Sequence, residues 1–113
     1  MWSKASEHVE LGENVTIGEY SLLGVVPKVD EILPLKIGNN TTIRLHANIY
    51  TNTTIGNKMQ TGHGVLIREN WKIGKNVSVG THSVIERNTI LEDNVRVHSN
   101  VFIPDGIDRK SVV

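Results

Sequence analysis

The five histidines are the side chains best suited to proton transfer near neutral pH, because imidazole has an ordinary pKa of about 6.5. They are His8, His46, His63, His82 and His98. His63 differs from the others because it lies between two glycines, within the stretch TGHGVLIREN at residues 61–70. Glycines on both sides let a ligand or another chain approach closely. The residues alone leave two interpretations open, a general base or an ordinary turn residue.

The charge balance and composition exclude several classes of function. The chain has 12 basic and 12 acidic residues, so nothing in its net charge favours binding to nucleic acid or to an anionic membrane. It has no cysteine, which excludes disulfides and thiolate metal sites. No apolar run approaches the roughly 20 residues of a membrane span. We therefore expect a cytoplasmic protein without a membrane segment.

An aliphatic residue recurs every six residues from Ile37 onward, and only Thr61 interrupts the series. The full series is Ile37, Ile43, Ile49, Ile55, Thr61, Ile67, Ile73, Val79, Ile85, Leu91, Val97 and Ile103. We count the six positions of each repeat unit from this residue. A mostly small or β-branched residue occupies the fifth position, and Gly, Asn and Asp are frequent between them, as suits turns. A period of six fits neither an α-helix nor a simple hairpin, and predicts a solenoid with three short strands per coil.

Every eighteenth residue should then stack in one column, with coils about 4.8 Å apart. The columns are Ile37, Ile55, Ile73, Leu91; Ile43, Thr61, Val79, Val97; and Ile49, Ile67, Ile85, Ile103. The N-terminal part keeps the period in a shifted register, so that an eight-residue insertion at about 25–36 places Leu11, Ile17 and Leu23 in the same columns. The proline-containing insertion reads as a surface loop. It is either a tolerated excursion or a contact for substrate or subunit.

The repeated pattern [Ile/Leu/Val]-Gly-x-Asn-[small]-x, which runs from Ala5 to about Ile107, closely resembles the hexapeptide-repeat acyltransferase superfamily. The chain is most like the bacterial sugar and nucleotide-sugar acetyltransferases in that superfamily. The resemblance implies an all-β fold, a left-handed parallel β-helix, and a homotrimer with active sites between neighbouring prisms. It also implies acetyl-CoA as co-substrate, a sugar or nucleotide-sugar acceptor, and no metal.

The resemblance assigns a role to His63 in particular. Several members of the superfamily place a general-base histidine at the third position of a unit, which is the position of His63. Gly64 departs from the pattern, because those families often have Asp or Asn there. The implied chemistry could use backbone N–H groups of Gly62 or Gly80 to hold the developing oxyanion, and Gly62, Gly80 and Thr81 are the candidates for binding the acyl donor.

Three further residues are candidates for binding the acceptor: Asn52, Arg68 and Glu69. Arg68 and Glu69 could instead form a mutual surface ion pair, which would contribute little to stability. Asn52 could instead be an ordinary turn residue. Two fifth-position residues, Met59 and Trp71, are large for positions that are otherwise small. We expect them to pack against a partner subunit or the acyl donor, the alternative being a local bulge.

The repeat predicts one β-helix domain at 1–107 and a non-repeat tail at 108–113. The tail DRKSVV resembles the translation of a common sequencing adapter, so we expect a truncated family member. Two other functions compete with acyl transfer. One is a non-catalytic β-helical scaffold or trimerisation module. The other is a γ-type carbonic anhydrase, which would need zinc-binding histidines spaced His-x4-His, and the chain has no such pair.

Overall fold

The computed structural model describes residues 4–5 and 7–105, which form sixteen short strands and no helix. Within these residues there is accordingly no helix long and apolar enough to cross a membrane. The predicted domain end at Ile107 and the predicted tail at 108–113 lie outside the described residues.

The strands form three parallel sheets, with each strand paired to strands of the neighbouring coils. Sheet I contains β1 (Lys4–Ala5), β4 (Leu22–Val25), β7 (Asn48–Tyr50), β10 (Leu66–Ile67), β13 (Val84–Ile85) and β16 (Phe102–Ile103). Sheet II contains β2 (Val9–Leu11), β5 (Leu35–Ile37), β8 (Thr54–Ile55), β11 (Trp71–Ile73) and β14 (Thr89–Leu91). Sheet III contains β3 (Thr16–Ile17), β6 (Thr42–Ile43), β9 (Gln60–Thr61), β12 (Ser78–Val79) and β15 (Arg96–Val97).

This arrangement is a left-handed parallel β-helix, as predicted. The strand register confirms the eighteen-residue columns, since Ile37 pairs with Ile55 in sheet II and Val79 pairs with Thr61 in sheet III. Sheet I follows the same register, with Ile67 opposite Ile85. Each coil contributes one strand to each sheet because its three straight segments are joined by three corners.

The insertion also falls where the register predicts it. Leu11 pairs with Ile37 and Leu23 pairs with Ile49, so the loop absorbs eight extra residues without disturbing the columns. The loop lies within the predicted range 25–36. Strand β4 continues to Val25 and β5 begins at Leu35, whose side chain is buried, so only residues 26–34 leave the coil.

First-position and fifth-position side chains together fill the core. Met59 is 0% exposed and Trp71 is 3% exposed within this single chain. The indole N–H of Trp71 donates to the carbonyl oxygen of Glu86, which satisfies its one polar atom inside the coil. This corrects the expectation that Met59 and Trp71 pack against a partner or donor, because the coil interior accommodates both side chains.

From Ile37 to Ile103, every corner turns through a residue with a left-handed backbone at the fourth position of its unit. From Asn40 to Asn100 these residues have φ between 57° and 66°. They are Asn40, His46, Asn52, Lys58, Gly64, Asn70, Asn76, His82, Asn88, Asn94 and Asn100. Asparagine and glycine adopt this region at lower cost than other residues, which explains why asparagine dominates the fourth position. His46 and His82 are therefore corner residues, as the repeat predicted.

The cost of a left-handed corner can be tested at Asn70, which is exposed and has a φ of 62°. We expect Asn70→Ala to lower the free energy of unfolding by about 1 kcal/mol, because alanine pays the left-handed penalty. Asn70→Gly should change it by only a few tenths of that, since glycine adopts positive φ readily. Urea unfolding of the two variants measures the difference. Equal effects of alanine and glycine would contradict the backbone explanation.

Candidate functional site

His63 lies at the corner between sheets III and I, directly after β9. Its backbone is held on both sides by the coil above. The His63 N–H donates to Thr81 Oγ1 at 3.2 Å, and the His63 carbonyl accepts the His82 N–H at 2.8 Å. The residue is exposed, and within the described part of the chain no hydrogen bond or ion pair engages its imidazole. The structure therefore presents a free imidazole on a fixed backbone.

Thr61 breaks the aliphatic series, and its hydroxyl oxygen accepts a hydrogen bond inside the coil. Its side chain is inward and 1% exposed, and its Oγ1 accepts the Arg44 N–H at 3.0 Å. In a regular unit this N–H donates to a backbone carbonyl of the next coil, as Gly38 does at 2.9 Å. Here the Thr61 carbonyl instead accepts a hydrogen bond from Nη1 of the Arg44 guanidinium, at 2.9 Å. A hydroxyl and a guanidinium thus replace one backbone hydrogen bond, two residues before His63.

Gly64, the neighbour that departs from the family pattern, has a local structural reason. Its φ of 66° is the ordinary corner value, which glycine and asparagine both tolerate. A Cβ at this residue would lie 2.5 Å from Cδ2 of His82, so the His82 imidazole packs directly over the glycine. One coil further toward the N-terminus, the rings of Tyr20 and His46 stack with centroids 5.3 Å apart. Aromatic rings therefore line the corner beside His63.

Gly62 and Gly80 serve the close stacking of coils. A Cβ on Gly62 would lie 2.5 Å from the backbone nitrogen of Thr81, and Gly80 meets Ser99 in the same way. Their N–H groups donate to the inter-coil ladder, Gly62 to Val79 at 2.7 Å and Gly80 to Val97 at 2.8 Å. Each N–H group therefore already has a backbone acceptor in this structure, and donor or oxyanion binding by Gly62 and Gly80 stays a prediction.

Arg68 and Glu69 lie at a different corner, between sheets I and II, in a network rather than in an isolated pair. Glu69 is 2% exposed, and its carboxylate lies 3.0 Å from Arg68 Nε and 3.7 Å from Arg87 Nη1. Arg87 Nε in turn lies 3.3 Å from the Asp105 carboxylate, and Arg68 Nη1 lies 3.9 Å from Glu86. The predicted exposed pair is therefore a chain of ionic contacts across successive coils around one buried carboxylate.

The guanidinium of Arg68 also packs over an aromatic ring, with Cζ 4.6 Å from the Tyr50 centroid. Burial of the guanidinium lowers the pKa of Arg68, but the hydrogen bond and charge of Glu69 outweigh it, so the pKa of Arg68 is raised. A raised pKa stabilises the fold at every pH below the ordinary value and loses that effect only as pH rises through the raised one. Arg68 therefore remains charged throughout the neutral range.

Asn52 anchors the insertion loop. Its Nδ2 donates to the Glu31 carbonyl at 2.9 Å, and its Oδ1 accepts the Leu33 N–H at 3.2 Å and the Thr51 hydroxyl at 2.8 Å. The backbone N–H of Asn52 also donates to the Leu33 carbonyl at 2.9 Å. The amide is thus engaged by the protein itself, and the structure gives Asn52 a structural role.

The candidate residues fall into two groups at the two ends of sheet I. His63, Gly62, Gly80 and Thr81 lie at the corner with sheet III, whereas Asn52, Arg68 and Glu69 lie at the corner with sheet II. Sequence reasoning missed Glu86, Arg87 and Asp105 as members of the network around Arg68 and Glu69. Glu69, Arg87 and Asp105 are eighteen residues apart and all occupy the third position of a unit, so the repeat stacks them in one column. Their charges alternate along that column, and this alternation could have indicated the network. Among the described residues, no three His, Asp or Glu side chains are grouped to share a metal ion.

Residues 71–104 match the family described as hexapeptide repeat of succinyl-transferase. The match covers the C-terminal coils of the left-handed β-helix described above. No curated protein sequence matches the chain significantly. Among solved structures it is similar to a histidine-to-alanine variant of GDP-perosamine N-acetyltransferase from Caulobacter crescentus in complex with CoA and GDP-perosamine. That likeness has a TM-score of 0.66 and 10% identity, and it covers 99% of this chain and 52% of the other.

Two further solved structures share the β-helical fold of this chain. The histidine-to-asparagine variant of the same Caulobacter enzyme, also with CoA and GDP-perosamine, has a TM-score of 0.64 at 13% identity, over 99% of this chain and 52% of that one. UDP-N-acetylglucosamine acyltransferase from Campylobacter jejuni has a TM-score of 0.58 at 14% identity, over 89% and 57%. The chain thus spans about half the length of the solved structures that it matches.

Within the ionic network at the corner between sheets I and II, we expect the buried carboxylate of Glu69 to contribute most to the free energy of unfolding. We expect Glu69→Gln to lower the free energy of unfolding by about 2 kcal/mol, because it leaves two guanidinium groups beside an uncharged buried amide. Glu86→Gln is the matched control. Its carboxylate is more exposed and lies 3.9 Å from Arg68, so we expect a loss below about 1 kcal/mol. Urea unfolding of both variants checks the order, and an equal loss would contradict it.

Proposed function

We propose that this protein transfers an acetyl or other acyl group from acyl-CoA to an amine or hydroxyl of a sugar or nucleotide-sugar, with His63 as general base. The observation that carries the proposal is the exposed His63 imidazole on a backbone held by Thr81 and His82. A general base must reach the attacking group while keeping a fixed position, and this corner provides both conditions.

The similar solved structures support the choice of substrates. Two of them contain CoA and GDP-perosamine, and a third is named as an acyltransferase acting on UDP-N-acetylglucosamine. Low identity and half-length coverage mean that these structures share the fold with this chain, and the activity and substrates are our proposal. The non-catalytic scaffold is the competing function, and the assay below distinguishes the two.

The proposed reaction needs no covalent enzyme intermediate. Neutral His63 accepts the proton of the attacking amine or hydroxyl as the new bond forms to the thioester carbonyl carbon. The tetrahedral intermediate then expels the CoA thiolate, to which the imidazolium returns the proton. The products are the acylated sugar and free CoA thiol. Thr81 contributes by positioning, since its hydroxyl holds the His63 N–H and leaves the imidazole to the substrate.

We also propose a homotrimer that uses the outer face of sheet I. The outward side chains on that sheet are mostly apolar: Leu22, Asn48, Leu66, Val84 and Phe102. The same position on sheet II carries Glu10, Lys36, Thr54, Lys72 and Ile90, and on sheet III Thr16, Thr42, Gln60, Ser78 and Arg96. Burial of the apolar face against another subunit would bring the His63 corner, which borders sheet I, beside the neighbouring prism.

His63→Ala should lower acyl transfer by about 10²–10⁴-fold, the usual contribution of a positioned acid–base group. The assay follows release of free CoA thiol from acetyl-CoA over a panel of amino sugars and their nucleotide-linked forms. His98→Ala is the control, because His98 is an exposed histidine in another coil. Unchanged turnover in His63→Ala would contradict the role as a base. Absence of turnover by the unaltered chain with every acceptor would favour the scaffold.

The proposed subunit interface predicts a change in oligomeric state. Phe102 is 62% exposed on the outer face of sheet I, and Phe102→Asp should convert a trimer to a monomer because it places a charge in the interface. Ile90→Asp is the control on sheet II, where Ile90 is 45% exposed. Sedimentation velocity measures both variants. Dissociation by Ile90→Asp alone would place the interface on sheet II instead.

A further inference from the structure

The corner between sheets II and III carries a cleft of about 350 Å³ that no step of the proposed reaction uses. Its lining residues are Asn57, Lys58, Lys75, Asn76 and Asn94. Two of them are lysines and none is acidic. Within the described part of the chain, neither lysine forms an ion pair, whereas the charges of the Glu69 network are matched. The cleft therefore offers two positive charges without an internal counterion.

Two of the asparagines that line the cleft have their side-chain oxygen already engaged. Asn57 Oδ1 accepts the Asn39 N–H at 2.8 Å, which leaves the Nδ2 group of Asn57 to donate elsewhere. Asn94 Oδ1 accepts a hydrogen bond from Asn76 Nδ2 at 2.8 Å, which leaves the Nδ2 group of Asn94 to donate elsewhere. The carboxylate stacked above Lys75 belongs to Asp93, and its Oδ1 accepts the Lys75 N–H at 2.8 Å outside the cleft lining. The lining thus offers the Nδ2 groups of Asn57 and Asn94 as hydrogen-bond donors beside the two lysines.

Lys58 occupies its position at a conformational cost. It has a φ of 63°, and the other fourth-position residues at this corner are all asparagine: Asn14, Asn40, Asn76 and Asn94. Their amides pair between adjacent coils, Asn14 with Asn40 and Asn76 with Asn94, both at 2.8 Å. Lys58 interrupts this amide ladder at its centre. An asparagine would fit the backbone better and could continue the ladder, so the lysine is a strained choice of the kind found at functional sites.

We propose that the Lys58–Lys75 cleft binds the diphosphate group of a nucleotide-type ligand. Two ammonium groups from adjacent coils, flanked by amide donors, can contact the oxygens of two linked phosphates. Lys58 lies on the same coil as His63, at the other end of β9. A diphosphate here would belong to either of the two phosphate-bearing substrates, CoA or a nucleoside-diphosphate sugar, and this last assignment rests on the proposed function.

Titration calorimetry with inorganic pyrophosphate, at fixed ionic strength, tests the cleft directly. We expect Lys58→Asn and Lys75→Gln each to weaken pyrophosphate binding at least about tenfold, because each removes one charge. Lys58→Asn should also raise the Tm of the free protein, since asparagine relieves the left-handed strain. A loss of binding in a more stable variant separates a binding role from a structural one. Lys36→Gln, on the outer face of sheet II, is the matched control and should bind as the unaltered chain does.

Three outcomes would overturn the proposal: no pyrophosphate binding by the unaltered chain, an equal loss in Lys36→Gln, or unchanged binding in Lys58→Asn. Competition then identifies the source of the diphosphate. Displacement of pyrophosphate by CoA assigns the cleft to the acyl donor, and displacement by UDP or GDP assigns it to the acceptor. Displacement by neither would overturn the nucleotide assignment. Because the measurement is binding and not turnover, its outcome is independent of the result with His63→Ala.

Discussion

The inter-coil hydrogen-bond ladder is the constraint on which the rest of this structure depends. It places each residue over the residue eighteen places earlier, and so dictates which side chains meet. Second-position glycines follow from it, because the next coil passes too close for a Cβ. Third-position side chains join the ladder as acceptors: Asn57 for Asn39, Asp93 for Lys75 and Thr81 for His63. The backbone that presents His63 is therefore part of the same ladder that builds the fold.

Departures from the repeat are informative because the repeat is so regular. Thr61 replaces an aliphatic residue, and its hydroxyl together with the Arg44 guanidinium substitutes for one backbone bond. Lys58 replaces an asparagine at a left-handed corner and forgoes the amide pairing of its neighbours. Thr61 thus keeps a hydrogen bond in place of the one that it displaces, whereas Lys58 carries backbone strain and, among the described residues, has no side-chain hydrogen bond or ion pair. This difference is why Lys58 points to a ligand and Thr61 does not.

Most of the fold could be predicted from the sequence, and the site only in part. The columns, the corner residues and the eight-residue insertion follow from a period that the ladder enforces. The sizes of the inward side chains do not follow from that period. Met59 and Trp71 fit because of the shape of the interior, and the spacing of residues along the chain carries no information about that shape. The hydrogen bonds of Gly62, Gly80 and Asn52 could not be predicted for a related reason. Their hydrogen-bonding groups have partners in other coils or in the loop.

The sequence by itself determined the architecture, the register and the outward placement of His63, because a six-residue period admits one way of stacking. Tertiary structure alone decided which polar groups remain available. It engaged Asn52 with the loop, buried Glu69 between two arginines, and left the His63 imidazole and the ammonium groups of Lys58 and Lys75 exposed. The physical reason is that hydrogen bonding and charge pairing depend on distances between side chains in different coils. Such side chains are neighbours in space but lie far apart along the chain.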